Sequence, residues 1–280
     1  MANAHHPDLR PPPCQEAVVS FPTEHVMLVM IAREKKMNTT NRLLNWQLDT
    51  LFTWFDDEPS LRVAVITGQG SKAFCAGSDL LEIEAALKNT EQPWEHAQPS
   101  SASAGLARRK GKKPVLAAVN GLALGGGFEI VLNCDIAIAS AKAEFGLPEP
   151  VVGVYAWSGG LPRLVRNLGM PLASDIALTG RRVSAREALD LHLITAIAKS
   201  PDAVLDETID KAKQIAAISP DGIIVTRAAL REAWETASVE RAFQVTHESY
   251  YKKLVESENS KEGLAAFREK RKPAWSGSKL

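Results

Sequence analysis

Cysteine is scarce in this sequence, and neither sign of charge is in excess. The 280 residues include only Cys14, Cys75 and Cys134, and no C-x-x-C pair occurs. Such an odd, widely spaced set excludes a secreted disulfide framework. Because none of the six histidines lies in an H-E-x-x-H motif, we also expect no metal site built by the protein. The 33 basic residues balance 33 acidic ones, whereas dedicated nucleic-acid-binding proteins usually carry a basic excess.

A long apolar run is also missing. The most apolar stretch, residues 115–139, is broken by three consecutive glycines and by Asn120, Glu129, Asn133 and Asp135. A membrane-spanning helix needs about 18 or more apolar residues with few charges, so no span is expected. With 45% hydrophobic and 24% charged residues, the composition is that of a globular domain.

The apolar runs that do occur are short and alternate with helical patterns. We predict buried strands at Val26–Ile31, Val63–Thr67, Val115–Val119 and Ile136–Ala139. Leucine and phenylalanine recur at helical spacing between residues 41 and 55, and three glycines at 125–127 open another helix. This alternation predicts an α/β fold with mostly parallel strands.

The character of the sequence changes along the chain. We predict a flexible arm over residues 1–15, an α/β core over 16–205, a helical region over 206–272 and a tail over 273–280. Residues 89–113 are rich in Ser, Ala, Gln and Pro, which predicts a mobile loop or lid. Ser158 is predicted to cap the N-terminus of a helix over residues 161–168.

Five basic residues fall between Arg108 and Lys113. Such a cluster can hold RNA, bind the phosphates of a small ligand, or form a solvated loop. With zero net charge and no interleaved aromatic residues, RNA binding is the weaker alternative.

Two glycine-rich turns follow predicted buried strands. One spans residues 74–79 and the other residues 120–129, where Gly125, Gly126 and Gly127 enter a helix. Glycines let a backbone approach a ligand without interference from a Cβ atom. Two free N–H groups that converge on one carbonyl oxygen form an oxyanion hole. A lone glycine triplet could instead serve only close packing.

Both turns lie in motifs that resemble those of the crotonase, or enoyl-CoA hydratase/isomerase, superfamily. The matching stretches are residues 72–80 (KAFCAGSDL), 113–121 (KPVLAAVNG), 124–129 (LGGGFE), 133–135 (NCD) and 145–149 (FGLPE). A later motif is matched by residues 178–180, with Ala185 and Glu187-Ala188 after it. The resemblance extends from Val26 to Ile197 in the family's order.

The resemblance implies a fold and a substrate class. The fold would be a crotonase-like spiral of ββα units with a C-terminal helical region that builds a homotrimer, often paired into a hexamer. The substrate would be an acyl-coenzyme A thioester, and no separate cofactor is implied because coenzyme A is part of that substrate. The family's two oxyanion donors correspond to the backbone N–H groups of Ser78 and Gly126.

Two glutamates decide the reaction type that the resemblance implies. Family members that add water carry two, and this chain has Glu129 and Glu149 at the matching positions. Hydration of a 2-enoyl thioester needs water activated toward Cβ and a proton delivered to Cα. We therefore predict an enoyl-CoA hydratase in which Glu149 handles the Cα proton and Glu129 orients the water. A double-bond isomerase, working with Glu149 alone, is the alternative.

The resemblance also indicates where coenzyme A binds. The backbone around Ala76, Gly77, Asp79 and Leu80 and the loop that carries Lys35 and Met37 are the implied contacts. Where the family often has Pro-Gly, this chain has Ala156 and Trp157. Because a bulky Trp157 near the catalytic water would reshape the acyl pocket, the acyl group stays open.

Ser278-Lys279-Leu280 forms a peroxisomal address that an import receptor reads. We therefore expect a peroxisomal protein. A third class of function is a non-catalytic binder of acyl-CoA or RNA.

Overall fold

A computed structural model describes residues 8–88 and 98–280. The strands found there are β1 (Ala17–Thr23), β2 (Val26–Ile31), β3 (Val63–Gly68), β4 (Ala73–Cys75), β5 (Val115–Val119), β6 (Leu122–Leu124), β7 (Ile136–Ala139), β8 (Glu144–Gly146), β9 (Val183–Ser184) and β10 (Ala196–Ile197). The helices are α1 (Arg42–Asp57), α2 (Leu80–Leu87), α3 (Gly126–Asn133), α4 (Gly160–Leu168), α5 (Met170–Thr179), α6 (Ala185–Asp190), α7 (Val204–Ala216), α8 (Pro220–Thr236), α9 (Val239–Thr246), α10 (Lys252–Glu256) and α11 (Glu258–Glu269).

The larger sheet has the order β1-β2-β3-β5-β7-β10 among the described residues. Only the β1-β2 pair is antiparallel, and the other neighbours are parallel. Strands β3 and β5 are buried at every position, because α1 and the second sheet lie toward one face and α7 covers the other. Continuous apolar runs are typical of such two-sided burial, and the four predicted strands are confirmed.

A smaller sheet, in the order β4-β6-β8-β9, positions the loops that matter most. The chain repeatedly passes from a strand of the large sheet to one of the small sheet and then into a helix. This pattern gives β3-β4-α2, β5-β6-α3 and β7-β8-α4, the last with a 3-10 turn at Glu149–Val152 before the helix. The predicted ββα architecture is therefore confirmed.

The predicted lid is wrong for residues 98–113, while residues 89–97 lie outside the described part of the chain. Residues 101–107 are buried against α1. The Asn45 side chain accepts a hydrogen bond from the Ala104 N–H at 2.7 Å and donates to Gln98 Oε1 at 2.6 Å. Small residues let this segment pack closely, so its composition reflects burial rather than mobility.

Part of the basic cluster is buried and makes contacts within the fold. Arg109 is 7% exposed and pairs with Asp56 at 2.6 Å, while Lys113 is 4% exposed and donates to the carbonyls of Phe55 and Glu58. Two of the five basic side chains are thus buried and paired within the protein, which weakens the case for RNA binding.

The N-terminal arm is not free where it is described. Leu9 and Cys14 pack against the core, and the Gln15 N–H donates to Gln47 Oε1 at 3.0 Å. Residues 1–7 lie outside the described part of the chain. No helix of the described residues is long and apolar enough to cross a membrane.

The C-terminal helices cover the sheet and are joined to it by buried charge. Val204, Ala212 and Ala216 of α7 pack on the outer face of the large sheet. The carboxylate of Asp135, just before β7, accepts hydrogen bonds from the guanidinium groups of Arg227 at 2.9 Å and Arg231 at 3.0 Å. Burial disfavours this carboxylate, yet the two arginines of α8 hold its pKa below the ordinary value.

Removing the Asp135 carboxylate should release α8. Asp135→Ala leaves Arg227, which is 8% exposed, without its carboxylate partner, and we expect a loss of about 3 kcal/mol of unfolding free energy. The matched control is Asp210→Ala, which breaks an exposed pair with Lys213 and should cost less than about 1 kcal/mol. Urea unfolding measures both. Equal midpoints for the two variants would contradict the assignment.

Candidate active site

The two glycine-rich turns lie directly against each other. A Cβ atom added to Gly77, whose φ is +97°, would lie 3.0 Å from the Leu124 carbonyl oxygen and 3.4 Å from the Gly126 nitrogen. Gly125 has a φ of +53°, and a Cβ at Gly127 would overlap the Cys75 carbonyl. Glycine is therefore required here because the two backbones approach too closely for side chains.

This approach brings two backbone donors to one place. Gly126 is the first residue of α3, so its N–H has no carbonyl to pair with inside the helix. No acceptor among the described residues receives the N–H of either Ser78 or Gly126. Two fixed donors without protein partners are the arrangement that an oxyanion hole requires. The structure therefore brings together the two donors named from the sequence.

Glu129 lies in the first turn of α3 and is only 2% exposed. Its Oε1 accepts the Gly160 N–H at 2.8 Å, and a Cβ on Gly160 would lie 2.8 Å from Glu129 Cγ. Burial raises the pKa of this carboxyl, while donors from Gly160 and Ser158 and the positive charge of Arg163 lower it. Glu129 is thus a buried carboxylate with its own set of donors.

Glu149 follows β8 and begins the 3-10 turn. Its Oε1 would lie 3.1 Å from a Cβ on Gly125, which places the carboxyl beside the glycine turns. Its Oε2 is buried and has no hydrogen-bond partner among the described residues. Burial raises the pKa of Glu149 to about 7, with a further contribution from the negative charge of Glu129. Two neighbouring carboxyls that differ in their hydrogen-bond donors can act as an acid and base pair.

The implied coenzyme A contacts also come together. The Met37 carbonyl accepts the Ala76 N–H at 3.1 Å, and Thr40 bonds to Gly77 and Asp79 on either side of Ser78. The loop at residues 34–38 is therefore fixed to the first glycine turn. Lys35 is exposed on this loop, and Leu80, at the start of α2, is 55% exposed.

The Asp79 side chain serves the loop itself. Its Oδ2 accepts hydrogen bonds from the Arg33 guanidinium at 3.0 Å and from Lys36 Nζ at 3.1 Å. Burial opposes its charge, but these two cations hold its pKa below the ordinary value. Any contact of Asp79 with coenzyme A is therefore expected from its backbone.

Ser158 is not the helix cap predicted from the sequence. Gly159, with a φ of +95°, occupies the N-cap position of α4, and no side chain caps it. Ser158 instead lies near enough to Glu129 to lower the pKa of that carboxyl, and its Oγ lies 3.4 Å from the Oγ of Ser103. Ser103 was missed because a single serine in a Ser/Ala-rich segment carries no signal. The half-buried Trp157 is the neighbour of Ser158 in the chain.

Residues 22–278 match the family model for enoyl-CoA hydratase/isomerase. This chain belongs to that family. A mevalonyl-coenzyme A hydratase from Beauveria bassiana is 45% identical over 276 residues, which cover 97% of this chain and 98% of that protein. A carnitinyl-CoA dehydratase from Proteus mirabilis is 35% identical over 262 residues, covering 91% and 97%.

Solved structures agree with this assignment. An enoyl-CoA hydratase from Bacillus anthracis superposes with a TM-score of 0.84 at 31% identity, covering 94% of this chain and 100% of that one. One from Mycobacterium tuberculosis gives 0.82 at 32% identity, covering 94% and 99%. The α/β spiral with C-terminal helices and the hydro-lyase class of reaction on acyl-CoA thioesters are thus confirmed.

Proposed function

We propose that this chain interconverts a 3-hydroxyacyl-CoA and its 2-enoyl-CoA, with an acyl chain that carries a further polar group. The observation that carries the reaction is the Glu129 and Glu149 pair beside two unpartnered N–H groups. The substrate class is supported by the two relatives, because mevalonyl and carnitinyl groups both bear a 3-hydroxyl and a second polar function. A mevalonyl-type group, branched at the third carbon, is favoured by the higher identity.

The proposed mechanism begins at the thioester. The N–H groups of Ser78 and Gly126 bind its carbonyl oxygen and stabilise the charge that grows there; losing one such donor typically costs about 3 kcal/mol. In dehydration, Glu149 takes the Cα proton, the double bond forms, and the 3-hydroxyl leaves as water with a proton from Glu129. In hydration, Glu129 accepts a proton from the attacking water and Glu149 returns one to Cα. The pair holds one proton in both directions.

This single shared proton predicts a bell-shaped pH profile. Above the pKa of about 7 given by burial of Glu149, both carboxyls are ionised and kcat/KM falls; at low pH both are protonated and it falls again. Because the overall reaction takes up no proton, hydration and dehydration should give superimposable profiles. Initial rates in both directions, followed by the ultraviolet absorbance of the enoyl thioester, measure them. A flat profile from pH 6 to about 9 would contradict the shared proton.

Replacing each glutamate in turn distinguishes a hydratase from an isomerase. Glu149→Gln should lower turnover by about 10³-fold or more, since it removes an acid–base group, while acyl-CoA binding persists. Glu129→Gln should abolish hydration in a hydratase, whereas an isomerase would keep shifting a 3-enoyl double bond. Glu144→Gln, at the start of β8 and paired with Arg182 at the surface, is the control. Crotonyl-CoA, a branched enoyl-CoA and a 3-enoyl-CoA are the substrates to compare.

We also propose a homotrimer or a hexamer. Large apolar side chains of the C-terminal helices are exposed in the single chain: Val239 (87%), Phe243 (60%), Leu264 (72%) and Phe267 (87%). Burying them in an assembly is favourable, since contiguous exposed apolar surface marks interaction sites. Light scattering should give three or six times the chain mass of 30.4 kDa, and a monomer would contradict this.

The Ser278-Lys279-Leu280 tail is proposed to direct the protein to peroxisomes. In the single chain, Lys112 Nζ donates to the Leu280 carbonyl at 2.7 Å and Ser278 donates to Asp221. An import receptor must replace these contacts. A fluorescent protein fused ahead of residue 1 should be peroxisomal, and deleting residues 278–280 should make it diffuse. Peroxisomal signal that survives the deletion would contradict the proposal.

A further inference from the structure

Two buried hydroxyls lead from the second glycine turn to Glu129. Ser103 is 3% exposed and Ser158 is 1% exposed, and their Oγ atoms are 3.4 Å apart. The Ser103 oxygen also lies beside Gly126, because a Cβ added there would come within 2.6 Å of it. The reaction proposed above uses neither hydroxyl.

Ser103 is held in place by an unusual backbone. Its neighbours Ala102 and Ala104 have φ values of +59° and +53°, which non-glycine residues rarely adopt. The Ala104 N–H is fixed by the side chain of Asn45, which is itself only 2% exposed. Strain of this kind persists only where the surroundings over-determine the conformation, and it concentrates at functional sites. The position of the Ser103 hydroxyl is therefore set by its packing on α1.

Ser158 is placed by the turn that starts α4. The Gly160 N–H donates to Glu129 Oε1 at 2.8 Å, and the hydroxyl and N–H of Ser158, two residues earlier, lie near enough to the same carboxyl to lower its pKa. A serine hydroxyl has one hydrogen to donate and lone pairs to accept. When Ser158 donates to Glu129, its oxygen is left to accept the Ser103 hydrogen. The contacts thus form a chain that runs from Ser103 through Ser158 to Glu129.

We propose that Ser158, oriented by Ser103, is a positioning residue that keeps Glu129 ionised and turned toward the substrate. This rests on the proposed function, in which Glu129 exchanges a proton with water. The charged groups that act on this carboxyl come from separate elements: Glu149 from the 3-10 turn and Arg163 from α4. Burial and the Glu149 charge favour a protonated Glu129, whereas Arg163, Gly160 and Ser158 favour the ionised form.

Ser158→Ala is the first test. Because a hydrogen bond to a charged group stabilises the ionised form, we expect kcat to fall about tenfold and the acid limb of the pH profile to move to higher pH. KM should change less than about twofold, since uniform binding is not removed. Ser158→Thr, which keeps a hydroxyl, should restore the wild-type acid limb.

Ser103→Ala is the second variant, and it should shift the same limb by a smaller amount. Ser101→Ala is the matched control, because Ser101 lies on the same segment but donates to Asp49 of α1 instead. It removes a hydroxyl from the segment but leaves the contact of Ala104 with Asn45 that fixes Ser103, so its pH profile should superimpose on the wild-type one. A wild-type acid limb in Ser158→Ala, or a rise in KM alone, would overturn the proposal.

A direct titration separates this inference from the proposed function. Carbon-13 NMR of carboxyl-labelled glutamate, with Glu129→Gln identifying the signal, gives the pKa of Glu129 without turnover. That pKa should rise in both Ser158→Ala and Ser103→Ala and stay unchanged in Ser101→Ala. An unchanged pKa in the first two variants overturns the positioning role, even if no acyl-CoA is turned over. Inactivity of the wild-type protein toward every acyl-CoA would contradict only the proposed function.

Discussion

The close contact between the two glycine turns is the constraint on which the site depends. A side chain at Gly77 or Gly127 would meet the backbone of the opposite turn or strand, and one at Gly125 would meet the Glu149 carboxyl. Parallel pairing of β4 with β6 sets this contact, because it brings the ends of both strands to the same edge of the small sheet. The backbones that carry the N–H groups of Ser78 and Gly126 therefore lie close together because of the strand pairing rather than of any side-chain interaction.

Burial then gives the two glutamates different properties. Glu129 is the more deeply enclosed, and burial raises its pKa even though Gly160, Ser158 and Arg163 favour its charged form. Glu149 has a buried oxygen without a protein donor, so its pKa rises to about 7. Each charge also disfavours the other, and one proton on the pair relieves that repulsion. A pair in this state can give a proton to one carbon while it takes one from water.

Features that depend on local sequence were predictable, and those that depend on tertiary contacts were not. The strands at Val26–Ile31 and Val115–Val119 were predictable because continuous apolar runs of that length fit a buried strand, whereas a helix is usually longer. The prediction of a lid was wrong because residues 101–107 pack on α1, where Asn45, far away in sequence, accepts the Ala104 N–H. The prediction that Ser158 caps α4 was wrong because Gly159, in the left-handed region, occupies the N-cap position instead. Family motifs supplied the paired glutamates, but they gave no indication of Ser103.

The difference between the shared family motifs and the residues outside them also bears on substrate choice. In the proposed reaction, negative charge develops on the thioester oxygen whatever the acyl chain is, so the donors and the glutamates would serve any acyl group equally. Discrimination must arise where the acyl chain meets residues outside the shared motifs, and Trp157 is such a departure, next in the chain to a serine that faces Glu129. A site that hydrogen-bonds a substrate hydroxyl rejects analogues without it far more strongly than an apolar pocket rejects a missing methylene. A polar acyl group would therefore be selected through hydrogen bonds added around a common catalytic centre, and the centre itself would not need to change.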